Sequence, residues 1–265
     1  MQQSSKVKKT IEARRRVQRS TWWDFGQHSV TIRIDNQVFI DLLCYHLHIM
    51  NYTEDIERLR KLGGIPVEYS SLCALYRDYA APASKIAQLC QQGLLIRIKK
   101  GLYLVSEVIS GQNPELSLIA NHLYGPSYVS LESAQQEYGM IPEAVFSVES
   151  ITTRRSKHFS TSVGSFHYHR VPGAYYEIGL RIQRTEAGYG YLMATPEKAL
   201  CDHFVKTGGL QVRSRKAMLE YLIEFMRIDT DRLASMDLSI VDAAAAVGPK
   251  RRTLLYLKEA IVCLT

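Results

Sequence analysis

The order of predicted segments between residues 53 and 105 restricts the fold of this chain more than any other feature of its sequence. Three short segments, in which apolar residues recur at helical spacing, follow one another, and the third begins at Pro82, a residue that helices accept in their first turn. Two β-type runs come next, Leu94–Ile98 and Leu102–Val105, and a Lys-Lys-Gly sequence joins them as a tight turn. Three helices and a hairpin in this order predict a winged helix-turn-helix over residues 50–108.

The remaining residues, 109–265, predict a second domain of the α+β class that ends in a helical tail. Four runs have the composition of strands: Val145–Ile151, Gly164–Val171, Tyr176–Gln183 and Tyr189–Ala194. Thr195-Pro196-Glu197 combines a capping threonine, a proline and an acidic residue, the combination with which helices begin. Further helices are predicted at Leu116–Leu123, Glu132–Tyr138, Ser214–Arg227, Asp229–Met236, Ser239–Val247 and Arg252–Leu264. The predicted fold is therefore α+β, with an N-terminal winged helix-turn-helix followed by a mixed α/β C-terminal domain.

Residues 1–49 form a basic N-terminal extension that differs from the rest of the chain. Eight of the 33 Lys and Arg residues and four of the 26 Asp and Glu residues lie there, so this segment carries more than half of the net charge of +7. Three interpretations compete: a basic arm on nucleic acid, an organelle-targeting segment, or a disordered extension without a role that reflects a misplaced start codon. Because a well-formed helix pattern begins directly after Met50, we expect the working protein to begin at that residue.

The third predicted helix and the hairpin carry the side chains that a DNA-binding surface requires. Gln can pair with adenine, Lys with guanine and Ser with either base, and the polar face of this helix offers all three. The candidate DNA-binding residues on the helix are Ser84, Lys85, Gln88 and Gln92. The candidate phosphate-binding residues on or beside the hairpin turn are Arg97, Lys99 and Lys100. The competing interpretation is a solvated helix face beside an ordinary surface turn.

A second candidate site is the segment that follows the predicted strand Val145–Ile151. It combines hydroxyl groups with basic side chains: Thr153, Arg154, Arg155 and Lys157. Arginine and lysine side chains bind phosphate groups, so this segment is interpreted as an antitoxin loop or a phosphate-binding loop for a nucleic acid or nucleotide. A solvated turn is the alternative.

No group of residues predicts a metal centre, a cofactor site or an enzyme active site. His167 and His169 would share one face of a strand, but no carboxylate or cysteine lies at a matching spacing, so we expect no metal. The five cysteines are scattered without a CxxC pair, which favours a reducing cytoplasm. The familiar nucleotide-binding and hydrolase motifs are missing, and Glu197-Lys198 matches only part of a nuclease pattern. No run of apolar residues is long enough to cross a membrane.

Six segments of the chain, together with Phe159, are similar in sequence and order to segments of one known family. They are Gly93–Leu104, Tyr128–Ala134, Gly139–Glu143, Thr152–Ser156, Gly164–Phe166 and Ala194–Asp202. On these segments the chain resembles the AbiEi family, the antitoxins of type IV (abortive infection) toxin–antitoxin systems. The resemblance covers about residues 52–205 and does not include residues 1–49.

The resemblance implies a cytoplasmic regulator whose winged helix binds double-stranded operator DNA and represses its own operon. It further implies that the C-terminal domain counters a nucleotidyltransferase-like toxin, without requiring a stable complex between the two proteins. A homo-oligomer on DNA is compatible with this role. The resemblance assigns DNA binding to Ser84, Lys85, Gln88, Arg97, Lys99 and Lys100, and the antitoxin role to Arg154-Arg155.

Two other functions stay open at this point. The chain could be a plain winged-helix repressor whose C-terminal domain senses a ligand or dimerises. It could also be an enzyme that acts on nucleic acid and is guided there by the winged helix, although the sequence carries no catalytic motif in support.

Overall fold

The structure is a computed structural model, and it describes residues 52–142, 145–210 and 212–264. The basic segment of residues 1–49, with its three interpretations, lies outside the described residues. Residues 56–265 form one compact unit. Helices and a mixed sheet both contribute to it, so the predicted α+β class is confirmed. Within the described part of the chain, no helix is both long enough and apolar enough to cross a membrane.

Three helices lie in the N-terminal part of the described chain. They are α1 (residues 52–60), α2 (Tyr69–Leu75) and α3 (Pro82–Gln91). Helix α3 begins at the predicted proline and ends before Gly93, whose φ of 72° is a left-handed conformation that glycine adopts with the least strain. One core packs these helices together through Leu59, Leu72, Tyr76, Ile86 and Leu89.

A three-stranded antiparallel sheet joins these helices. Its strands are β1 (Val67–Glu68), β2 (Leu95–Lys99) and β3 (Leu102–Val105), in the order β1-β3-β2. The hairpin of β2 and β3 is predicted by the sequence, whereas β1 is not, because two residues are too few to show an alternating pattern. Gly101 in the turn has a φ of 85°, which explains why a glycine follows the two lysines there.

The two faces of this sheet pack into different cores, because successive side chains of a strand point to opposite faces. Leu95 and Val105 pack with helices α1 to α3. Ile98, Leu102 and Leu104 face the larger core of the C-terminal part, and none of the three is more than 6% exposed. The hairpin therefore connects the N-terminal helices with the rest of the molecule.

The second sheet has six strands in the described residues. They are β4 (Ser127–Val129), β5 (Ser147–Thr152), β6 (Lys157–Ser160), β7 (Ser165–Arg170), β8 (Leu180–Arg184) and β9 (Gly190–Ala194). Their order is β6-β7-β5-β4-β9-β8. The pairs β5–β7 and β4–β9 are parallel and the other pairs are antiparallel, so the sheet is mixed.

Helices cover this sheet and form the C-terminal tail. They are α4 (Glu107–Ser110), α5 (Leu116–Leu123), α6 (Leu131–Glu137), α7 (Gly173–Tyr176), α8 (Pro196–Lys206), α9 (Arg215–Glu220), α10 (Thr230–Ala234), α11 (Leu238–Val247) and α12 (Arg251–Val262). A π-helical segment, Tyr221–Phe225, continues α9. The start of α8 is as predicted, since the Thr195 hydroxyl accepts a hydrogen bond from the Lys198 N–H at 3.3 Å.

Two predicted segments differ from the structure. The predicted strand Tyr176–Gln183 begins only at Leu180, because Gly179 has a φ of 62° and interrupts the extended chain. Lys157, which the sequence analysis assigns to a loop, begins the edge strand β6 (Lys157–Ser160). Phe159 is the one apolar residue in that strand, so the alternation that marks a strand is too weak to read.

Candidate nucleic-acid interface

Helix α3 presents a polar stripe to solvent. Ser84, Gln88 and Gln92 are exposed and follow one another at a spacing of four residues, which puts them on one side of the helix and of its C-terminal cap. Ile86 and Leu89 on the opposite side are buried, with 2% and 0% exposure. Three of the four candidate residues on this helix are thus accessible along one stripe.

The fourth candidate, Lys85, is only 8% exposed. Its ammonium nitrogen lies 4.8 Å from the centroid of the Tyr79 ring, close enough for a cation–π interaction. The side chain therefore packs against the segment between α2 and α3, and a contact with a base would require it to rotate away from Tyr79.

The hairpin carries two exposed cations, Arg97 on β2 and Lys100 in the turn. Burial raises the pKa of Cys90 on α3, and the positive charge of Arg97 partly opposes this rise. Lys99 differs from both, because it is half-buried and its ammonium group donates a hydrogen bond to the carbonyl oxygen of Leu123 at the end of α5.

The second predicted site, between β5 and β6, is anchored by a hydrogen-bonded threonine. The Thr152 hydroxyl donates to the carbonyl oxygen of Pro126 at 2.7 Å and accepts from the Arg154 N–H at 3.1 Å. Thr153 is half-buried, whereas Arg154, Arg155 and Lys157 are exposed. The hydrogen bonds of Thr152 therefore hold in place the backbone from which these basic side chains extend.

Tyr124, a residue that the sequence analysis does not single out, organises these basic side chains. The guanidinium carbon of Arg154 and the ammonium nitrogen of Lys157 each lie 5.6 Å from the centroid of its ring. The Tyr124 hydroxyl donates a hydrogen bond to the carbonyl oxygen of Arg155 at 3.2 Å. Lys157 also lies 4.6 Å from the ring centroid of Phe159, and their spacing of two residues on one strand could have indicated this contact.

The structure brings the two predicted basic sites together. Lys99 donates to the carbonyl oxygen of Leu123, the residue before Tyr124, and the Tyr124 ring contacts both Arg154 and Lys157. Burial lowers the pKa of Lys99, and the positive charges of Lys157 and Arg154 lower it further. We call Lys99, Arg154 and Lys157, arranged around Tyr124, the basic cluster. In the described chain, none of these three cations forms an ion pair with a carboxylate.

The histidines of β7 take part in other contacts. His167 stacks on His158 of β6 with ring centroids 4.3 Å apart. His169 Nε2 lies 2.7 Å from a carboxylate oxygen of Glu149 on the neighbouring strand β5. The sequence analysis misses Glu149, because only the pairing of β5 with β7, in which Glu149 lies opposite His167, brings it within reach of His169. Across the described ranges, no group of three or more His, Cys, Asp or Glu residues could hold a metal ion.

The two residues that partly match a nuclease pattern are buried in α8. Glu197 is 9% exposed and accepts a hydrogen bond from the Asp237 N–H at 3.2 Å. Lys198 is 0% exposed and pairs with Asp202 one helical turn later. Both side chains therefore face interior partners.

Comparison with known families and with curated proteins gives no relative for this chain. No protein-family model matches its sequence, and no curated protein matches it either. The resemblance to the AbiEi family therefore rests on the six sequence segments alone and remains a prediction.

Proposed function

We propose that this protein is a cytoplasmic DNA-binding regulator that acts as the antitoxin of a type IV toxin–antitoxin pair. In this proposal α1 to α3 and β1 to β3 form a winged helix-turn-helix that represses its own operon. The C-terminal part counters a nucleotidyltransferase-like toxin. The observation that carries the proposal is the exposed polar stripe of α3, together with the exposed cations of the hairpin that follows it.

The order and pairing of the elements support the winged-helix assignment. Helices α2 and α3 are joined by a short turn, and the hairpin of β2 and β3 follows them. The hairpin pairs with β1, which precedes α2, in an antiparallel sheet that packs on the same core. A helix of this kind reads base edges in the major groove while the hairpin contacts the backbone. Ser84, Gln88 and Gln92 are the candidate readers, and Arg97 and Lys100 are the candidate phosphate contacts.

The antitoxin role rests on the six sequence segments that resemble the AbiEi family. It predicts that a neighbouring gene encodes a nucleotidyltransferase-like toxin. Co-expression of this protein should relieve the growth arrest that the toxin causes. If growth stays arrested although operator binding is intact, a plain repressor with a ligand-sensing or dimerising C-terminal domain is the better interpretation.

The first test is an electrophoretic mobility shift with the DNA upstream of the gene and a scrambled control at about 150 mM salt. Specific retardation of the upstream DNA is the expected result. Retardation of neither DNA would exclude the role as a regulator and would favour a protein-binding or enzymatic function.

Gln88→Ala tests whether α3 reads bases. Removal of a base-edge contact should cost about 1–3 kcal/mol of binding free energy on the operator and leave affinity for scrambled DNA unchanged. The comparison requires titrations of both DNAs at the same salt concentration. An equal loss on both DNAs would show that Gln88 contacts phosphate or supports the helix instead.

A further inference from the structure

Strand β8 lies at one edge of the second sheet and pairs there with β9 alone, in antiparallel orientation. Two hydrogen bonds at the ends of this pairing show which residues face β9. The Thr195 N–H donates to the Gly179 carbonyl oxygen at 2.8 Å, and the Thr185 N–H donates to the Tyr189 carbonyl oxygen at 2.9 Å. Because bonded residues alternate along an antiparallel strand, the odd-numbered residues of β8 bond to β9 and the even-numbered ones point their backbone groups outward.

The outward-pointing backbone groups belong to Leu180, Ile182 and Arg184. In the part of the chain that the structure describes, no hydrogen bond occupies them. A row of unpaired N–H and carbonyl groups at a sheet edge is a template on which a further strand can pair. The edge of β8 therefore offers the backbone half of a binding surface.

Exposed apolar side chains lie beside this edge. Ile182 is 67% exposed, and Leu192, its cross-strand neighbour on β9, is 37% exposed. Both residues line a shallow cavity of about 290 Å³, together with His122 and Gly190. An added strand would cover these side chains and also satisfy the outward backbone groups.

The sequence of β8 is complementary to a second copy of itself. In antiparallel pairing about a two-fold axis at Ile182, this residue faces its own copy, and Leu180 faces Arg184 of the second copy. All three outward residues are then paired, whereas a two-fold axis at any other residue of β8 leaves at least one of them without a partner. Arg181 lies opposite Gln183 in this register, so no arginine directly faces an arginine across the interface.

The side chains of β8 favour this register over its alternatives. Ile182 and Leu192 of the two copies would form a row of four apolar side chains across four strands, and their burial would stabilise the contact. A two-fold axis at Arg181 would instead set two like charges against each other. The Arg181 guanidinium is held on its own protomer, because it donates to the Gln183 side chain at 2.8 Å and lies 5.6 Å from the Tyr138 ring centroid.

We infer that two copies of this chain pair through their β8 edges, antiparallel about Ile182, and join their six-stranded sheets into one sheet of twelve strands. This pairing requires no DNA and does not rest on the proposed function. Since one pair of short strands makes a small interface, the dimer forms reversibly and its population depends on protein concentration.

The test is sedimentation equilibrium of the full chain without DNA, from micromolar to nearly millimolar concentration. The mean mass should rise from the 30.1 kDa of one chain towards twice that value. Ile182→Lys sets two ammonium groups against each other and should keep the protein at the mass of one chain throughout. Val108→Lys is the matched control, because it adds the same charge at an apolar residue of α4 that is 90% exposed, and it should dimerise as the unaltered protein does.

Hydrogen exchange separates a loss of pairing from a loss of structure. In the unaltered protein, exchange at the amides of Leu180, Ile182 and Arg184 should slow as the concentration rises, because the second copy protects them. In Ile182→Lys these even-numbered amides should exchange fast at every concentration. The amides of Arg181 and Gln183 should stay protected by β9 in both proteins, which shows that the variant keeps its strand.

Cross-linking tests the register. Paired residues of an antiparallel sheet that exchange both hydrogen bonds have Cα atoms about 5.5 Å apart, so Ile182→Cys should be linked to its own copy by a short bis-maleimide. Mass spectrometry of the linked peptides should join position 182 to position 182, and Val108→Cys should give no such link at position 108.

Three results would overturn this inference. The unaltered protein could stay at the mass of one chain at every concentration, and the edge of β8 would then be open to a strand of another protein. A dimer that persists in Ile182→Lys would form through a different surface. A dimer of Ile182→Cys without the link at position 182 would exclude the two-fold pairing about this residue.

Discussion

At the scale of single residues, the pair Lys198–Asp202 in α8 is the most deeply buried ion pair of the described chain. Both side chains are 0% exposed, and Lys198 Nζ lies 3.4 Å from Asp202 Oδ1. Lys198 also donates to the Tyr175 carbonyl oxygen at 2.7 Å, while Asp202 accepts from the hydroxyls of Tyr128 at 3.0 Å and Ser130 at 2.6 Å. Because a buried charge is tolerated only when it is paired and hydrogen-bonded, this group fixes α8 against β4.

Lys198→Met should destabilise the protein by about 3–5 kcal/mol, because it leaves the Asp202 carboxylate buried without its counter-charge. The free energy of unfolding in urea measures the effect. Lys258→Met is the matched control, since Lys258 pairs with Asp242 on the surface at 2.7 Å, and loss of an exposed pair costs about 0–1 kcal/mol. Equal losses in the two variants would mean that the buried pair contributes no more to stability than the exposed one.

The lowered pKa of the Glu132 carboxyl group should make the stability of the protein depend on pH. A hydrogen bond from His203, at 3.2 Å, lowers the pKa of Glu132 below its ordinary value of 4.5. A carboxylate with a lowered pKa stabilises the fold above the unfolded value and loses this contribution as pH falls through the folded value. Glu132→Gln should therefore cost stability at about pH 7 and cost little near about pH 3.

The expected loss for Glu132→Gln at about pH 7 is below about 1 kcal/mol, because the Glu132 side chain is 44% exposed and solvent screens the pair. Urea unfolding at both pH values provides the measurement. Glu137→Gln, an exposed change at the end of the same helix, should show no such difference. A loss for Glu132→Gln that persists at the acidic pH would mean that packing, and not charge, stabilises this contact.

At the scale of elements, the hairpin of β2 and β3 contains two neighbouring lysines with different roles. Lys100 is exposed in the turn, whereas Lys99 bonds to the end of α5. Each single alanine substitution should lower the salt slope of DNA binding by about one. Lys99→Ala alone should also cost about 1 kcal/mol of folding stability, because it removes a charged hydrogen bond.

Thermal unfolding of the two variants, measured beside their DNA titrations, checks this difference. Lys100→Ala should stay within about 0.5 kcal/mol of the unaltered protein, as exposed substitutions usually do. If Lys99→Ala is equally stable, the bond to the Leu123 carbonyl oxygen contributes nothing in solution.

Elements that begin at a capping residue or a proline are predictable from this sequence. Elements that form only by pairing or packing with distant parts of the chain are not. Helix α8 begins at the predicted capping threonine, and α3 begins at Pro82, because capping and proline geometry act within one turn. Strand β6 has no such signal, since pairing with β7 alone makes its residues extended. The start of β8 is missed because the positive φ of Gly179 is set by its surroundings: a Cβ there would lie 2.8 Å from the Lys198 Cβ.

At the scale of the whole molecule, the members of the candidate interface could be named from the sequence, but their assembly could not. Lys99 and Arg154 are both predicted as phosphate ligands from residue type, and each is assigned to a separate site. Their proximity depends on how the hairpin packs against α5 and the second sheet. Tyr124, which organises the cluster, carries no chemical signal of its own, because an aromatic residue after a helix is usually a packing residue.

The two-sided packing of the hairpin predicts that it unfolds together with the second sheet. Leu104 is 1% exposed and faces the larger core, so Leu104→Ala should cost about 2–5 kcal/mol by leaving a cavity. Native-state hydrogen exchange should show amides of β3 and β4 opening with one shared free energy, lowered equally by this substitution. Val108→Ala, at a side chain that is 90% exposed, should change neither the stability of the protein nor the exchange of these amides. Exchange of β3 at a much lower free energy than β4 in the unaltered protein would mean that the N-terminal elements open independently, and the basic cluster would then come apart whenever they do.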